Sequence, residues 1–173
     1  MLNILRPNTA RRRLIRRLYD QLVSRARAPV FYAALQVPDS LDGRFDMLAL
    51  HAFLLLERVK QTGDRPLSQG LMDALFIGLD EALRDMGAGD MGMGRKMKKM
   101  ANAFYGRMKA YGEAGDETAL ADAVVRNIYR GEAGNEKAAA IIAGYMVSAR
   151  AHLAQSDITT GAADFGPLPQ VQI

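Results

Sequence analysis

Apolar residues recur along this chain at the period of a helix and nowhere with the alternation of a strand, which restricts its fold more than any other feature. Leu75, Leu79, Leu83 and Met86 follow at intervals of three and four. The same reading predicts helices near 8–27, 29–36, 40–61, 66–87, 91–112, 117–130 and 135–155. Pro29 and Pro66 fall at first-turn positions, and Asp116 and Asn135 stand where N-caps are needed. The connections Thr62-Gly63-Asp64-Arg65 and Gly131 to Gly134 are short, which favours antiparallel neighbours. The expected class is all-α: one compact domain of six to seven helices with an extended C-terminal tail. Its expected parts are a basic amphipathic helix over 1–28, a helical domain over 29–156 and an irregular tail over 157–173. In that tail Gly161, Gly166, Pro167 and Pro169 break any helix, so it should lie extended across the body or be partly disordered.

Between the fourth and fifth expected helices, Gly87-Ala88-Gly89-Asp90-Met91-Gly92 matches the GxGxxG spacing of dinucleotide-binding turns. That motif binds a pyrophosphate only after a strand and inside a βαβ unit. Here a helix precedes it, so these glycines form a corner. Gly87 is expected to end one helix in the left-handed conformation and Asp90 to cap the next.

A chain of 173 residues can bury about 70% of its unfolded surface, enough for one core. It holds no cysteine and two histidines, which removes disulfides, thiolate chemistry and cysteine-based metal sites. No metal, cofactor or small-molecule substrate is expected. The longest apolar runs, Met47 to Leu56 and Ala138 to Ala149, fall short of the roughly 20 residues of a spanning helix, so a soluble or peripheral protein is expected. The net charge of +4 is uneven: residues 1–30 carry eight arginines and one acid, Asp20. Arg11, Arg12, Arg13, Arg16 and Arg17 lie beside an apolar stripe of Leu14, Ile15, Leu18 and Leu22. Such a helix suits an anionic membrane surface or a nucleic-acid backbone, and equally a helix packed on the core with solvated arginines. No serine-rich, disposable stretch follows it, which weighs against a targeting peptide.

His51 lies three residues after Leu48 and four before Leu55, on the apolar side of its helix. It reads as a core histidine, with a partner contact or a haem or metal ligand as the other readings. Asp42 and Asp46 share one helix face and, beside Arg44, read as a solvated, partly neutralised pair. His152 reads as surface, and no serine sits in a GxSxG or SxxK context. On the fifth helix, Met93, Met97, Met100, Phe104, Met108 and Tyr111 project within roughly 80° of one another, away from Arg95, Lys98, Lys99 and Lys109. Methionine repacks readily against varied partners, so this stripe is either core or a surface that receives apolar segments. The cations beside it read as a solvated face or an anion site.

The ordered set Asp42-Gly43-Arg44-Phe45-Asp46, Leu50-His51, Leu83-Arg84-Asp85-Met86-Gly87 with Asp90, Lys96 to Lys98, Phe104-Tyr105, Leu120-Ala121 and Arg126-Asn127 resembles the ubiquinol–cytochrome c chaperone family. The resemblance runs from about Phe31 through the last helix and into Thr160-Gly161 and Phe165-Gly166-Pro167. It departs at Phe53 and Val125, where tryptophan is common in the family. The resemblance implies a non-enzymatic factor that binds newly made cytochrome b during assembly of respiratory complex III. It also implies action near the ribosome, as for mitochondrial members. Client contacts are therefore expected among His51, Arg84, Asp90, Met93, Met97, Lys98, Met100, Phe104, Tyr105, Met108 and Arg126, and a membrane or RNA surface at Arg11, Arg12, Arg13, Arg16 and Arg17. Short length and an Ala/Arg-rich composition favour a bacterial member, in the cytoplasm or peripheral at the inner membrane. Two other readings stay open: a basic helical module binding nucleic acid or the ribosome, and an enzyme using His51 with a carboxylate from another helix.

Overall fold

The third expected helix is apolar on nearly all sides, and a helix of that kind must be surrounded. In the computed structural model, which describes residues 9–85, 87 and 90–171 with the side chains of Asp90 and Met91 excepted, α3 (Leu41–Gln61) is the central element. Around it stand α1 (Thr9–Ala26), α4 (Arg65–Asp85), α5 (Asp90–Gly112) and α7 (Glu136–Gln155). The short α2 (Pro29–Ala33) precedes α3, and α6 (Glu117–Asn127) pairs closely with α7. A 3-10 turn, Ile158–Thr160, follows, and the described residues contain no strand.

Local chemistry sets the ends. Asp64 starts α4, its carboxylate accepting from the Leu67 amide at 2.9 Å, and Asp116 caps α6 through the Ala119 amide at 2.8 Å. Asn135 forms no side-chain cap bond; the Glu136 carboxylate accepts from the Gly134 amide instead. The second helix is shorter than the expected 29–36 because Gln36 takes a left-handed φ of 56° ahead of Pro38. The sixth ends at Asn127, not 130, because Arg130 and Gly131 have φ of 57° and 76°. Gly87 is left-handed as expected, φ 78°; the expected capping role of Asp90 falls outside the described side chains.

The basic helix α1 buries Leu18, Leu22 and Ala26 against α3 and α4. Gly70 and Gly78 on α4 leave room for the side chains of Ile15 and Tyr19, where a Cβ would collide. The tail crosses α1 and α7 in extended form: Gln21 donates to the Gly161 carbonyl at 2.7 Å and accepts from the Ala163 amide at 3.0 Å. Arg25 donates to the Gly166 carbonyl, and Phe165 is buried beneath.

Gly43, in the first turn of α3, shows what one methyl group would do. A Cβ there would run into the Pro38 carbonyl, which is backbone and cannot swing aside. Gly43→Ala is expected to lower stability by about 2–3 kcal/mol through overpacking. Gly106, in the middle of α5, has open space at its Cβ position, so Gly106→Ala should raise stability by about 0.5–1 kcal/mol. Urea titrations of the two variants check the opposite signs.

Candidate partner-binding surfaces

Asp46 is not on a solvated face. It is wholly enclosed, and the Arg44 beside it turns away to Asp39 at 2.7 Å. Its partners come from other helices: Arg107 of α5 donates from Nε to Oδ1 at 2.6 Å, and Arg130, just past α6, lies 2.8 Å from Oδ2. Arg107 also donates to the Ala103 carbonyl and stacks 4.9 Å above the Phe45 ring. Burial pushes the Asp46 carboxyl above its ordinary range, and the two arginines pull it back. The buried Tyr111 hydroxyl keeps its proton for two reasons, burial first and the Asp46 charge second. Only Asp42 of the expected carboxylate pair is exposed. An acid inside a helix apolar all round was the available signal for Asp46.

His51 lies in an enclosed cage with Phe31, Tyr145 and Phe165, ring centroids 5.4–5.6 Å away. Its Nδ1 is 2.8 Å from the Met47 carbonyl, which can only accept, so Nδ1 carries the proton. Nε2, 2.9 Å from the Tyr145 hydroxyl, therefore accepts. Tyr145 in turn accepts from Arg25 Nε at 2.9 Å. The series Arg25, Tyr145, His51, Met47 ties α1, α7 and α3 together. Burial, the dominant cause, holds the His51 pKa at about 4. Both ring nitrogens are engaged and no solvent reaches them, so neither a client nor a substrate can touch His51 without the helices parting.

The methionine stripe of α5 is divided by depth. Met93, Phe104 and Tyr111 are buried; Met97, Met100 and Met108 are half-buried against the core. Grooves open on either side of this helix. One, of about 660 Å³, lies between α3, α4 and α5 and is lined by Phe53, Met72, Phe104, Tyr105 and Met108 with Glu57, Lys60 and Arg65 at its edge. Tyr105 is 55% exposed there, in ring contact with Phe76. The other, of about 520 Å³, is lined by Leu41, Phe45, Leu83 and Met100 beneath Lys96, Lys99, Arg107, Arg126 and Arg130. The expected contacts thus separate: Tyr105 and Met108 in the first groove, Met100 and Arg126 in the second, and Lys98 exposed on α5. Arg84 projects from α4 and pairs with Asp80 at 2.8 Å.

On α1, Arg12, Arg13, Arg16 and Arg17 are exposed; Arg16 pairs with Asp20 at 3.0 Å and Arg11 with Asp64 at 3.5 Å. Among the described residues no cluster of His, Asp or Glu could hold a metal ion, and no helix is long and apolar enough to cross a membrane.

A profile of the ubiquinol-cytochrome C chaperone family matches residues 33–162, which include both grooves and the Asp46 cluster. The chain belongs to that family. The crystal structure of the Cbp3 homolog from Brucella abortus superposes with a TM-score of 0.77 and 40% identity, covering 90% of this chain and 88% of that one. Ubiquinol-cytochrome-c reductase complex assembly factor 1 of Xenopus laevis is 26% identical over 116 residues, 65% of this chain and 58% of the relative. The corresponding Mus musculus assembly factor is 26% identical over 117 residues, 65% of this chain and 40% of the relative. The chain therefore spans about half the length of these two relatives. For a member of the chaperone family, the departure at Phe53 is filled by packing: its ring lies 5.7 Å from Tyr111 and beneath Arg150 at 5.1 Å. The basic face of α1 lies before the matched residues.

Proposed function

We propose that this chaperone is a non-enzymatic factor in the assembly of respiratory complex III, and that it holds newly made cytochrome b until its partner subunits arrive. One observation carries the client-binding part of this reading: the apolar groove beside α5, with Tyr105 and Met108 presented at a surface inside the family-matched residues. An exposed aromatic ring and a half-buried methionine offer apolar contact without being needed to close the core. The exposed arginines of α1 are suited to meet lipid headgroups or ribosomal RNA while the client is received.

The test is affinity capture from detergent-solubilised native membranes, combined with deletion of the gene. Cytochrome b should come down with the wild-type protein, and complex III should be lost from the deletion strain. Intact complex III in that strain overturns the proposal. The double variant Tyr105→Ala/Met108→Ser is expected to stay folded, losing about 1–2 kcal/mol because both side chains are partly solvated, while capture of cytochrome b drops. Outright unfolding of that variant would place the two residues among the core.

A further inference from the structure

The second groove carries a different chemistry. Lys96, Lys99, Arg107, Arg126 and Arg130 stand along it, and Asp42 is the one acid among the described residues of its wall. Asp46 lies beneath and neutralises part of the Arg107 and Arg130 charge while fixing both guanidinium groups in place. Lys96, Lys99 and Arg126 form no ion pair among the described residues and are exposed. Arg130 is held in the left-handed region, φ 57°, a conformation that non-glycine residues take at a cost and that clusters where a side chain must be aimed. The floor between these cations is apolar.

We propose that this groove docks a short acidic segment of a partner protein, one with several carboxylates along its length and at least one large apolar side chain. Three observations select that occupant. Lys96 and Arg107 are eleven residues apart on α5, about 16 Å along its axis, which is longer than a single phosphate or lipid headgroup can bridge. The Leu83 and Met100 floor accepts an aliphatic or aromatic anchor, giving the pairing of apolar centre and charged rim found in protein interfaces. The groove's aromatic ring, Phe45, is already covered by the Arg107 guanidinium, so no aromatic face is free for a nucleic-acid base to stack on. Charge complementarity of this kind raises the association rate and selects the partner. The segment is read from the groove's own residues and does not depend on what the Tyr105 groove holds.

The experiment selects a random twelve-residue peptide library on the full-length wild-type protein and, in parallel, on Lys99→Glu/Arg126→Glu. Peptides enriched on the wild type are expected to carry at least three acidic residues and a bulky apolar one. Their affinity is expected to fall about tenfold or more on the charge-reversed protein, and to weaken as salt is raised. Enrichment without an excess of acids, or equal retention by the variant, overturns the proposal. So does a groove-dependent gain for phosphatidylglycerol vesicles or single-stranded RNA when no acidic peptide binds. Circular dichroism controls for folding, and Lys96→Gln/Lys99→Gln replaces the charge-reversed protein if that one misfolds. Loss of cytochrome b capture in Tyr105→Ala/Met108→Ser but not in the charge-reversed protein separates the two grooves.

Discussion

Asp46→Ala is expected to destabilise the protein by about 3–5 kcal/mol, the cost of leaving buried positive charge without its counter-ion. For a chain of this size that is a fall in melting temperature on the order of 10 °C. Arg107 is 13% exposed and cannot turn to water without leaving the Phe45 ring, whereas Arg130, 43% exposed, can recover part of its hydration. The loss should therefore depend mainly on Arg107. Asp46→Leu/Arg107→Met, which removes both charges and refills the space, should recover most of the stability. Urea unfolding of the two single variants and the double variant measures the coupling directly. A cost under about 1 kcal/mol for Asp46→Ala would mean that the cluster behaves like a surface ion pair.

Acidification should act through His51. The unfolded histidine titrates near 6.5 and the folded one near 4, so between those values the unfolded chain holds the extra proton. Stability from this group is fully present above about 6.5 and declines as the pH falls, by about 1.4 kcal/mol per unit and about 3 kcal/mol in all. Burial is the first cause, since the enclosed ring cannot hydrate its charge, and hydrogen-bond direction adds to it. A proton on Nε2 would meet a Tyr145 oxygen whose own hydrogen already points at that nitrogen, while Arg25 donates from the other side. Asp39, Asp157 and Asp164, held below the ordinary carboxyl value by their hydrogen bonds, act at lower pH. Comparing unfolding free energies of the wild type and His51→Leu from pH 7 to 4 isolates the term. Parallel curves would show that His51 is not the group responsible.

Periodicity was enough to find the helices, because spacing records which face each helix turns inward. It could not give depth. The α5 stripe is continuous in sequence, yet Met93 and Tyr111 are enclosed while Met100 and Met108 border open grooves, a division set by the neighbouring helices. Asp46 was misread because its neighbour in sequence, Arg44, stood in for its real partner, Arg107, which is 61 positions away. The apolar setting of His51 was legible from Leu48 and Leu55; its bond to Tyr145, 94 positions on, was not. Of the cationic groove one wall was legible, since the α5 cations read as a solvated face or an anion site; the other wall, at the end of α6, is supplied by residues far along the chain.

The bonds from Gln21 to Gly161 and Ala163 join points 140 and 142 positions apart. On a chain made in order, α1 emerges well before the residues near 161, and its outer face stays uncovered until they follow. Closure of this layer thus waits for the tail, and a nascent chain stalled before it would leave the His51 ring without Phe165 against it. Its own order of construction leaves this member of a chaperone family briefly unfinished itself.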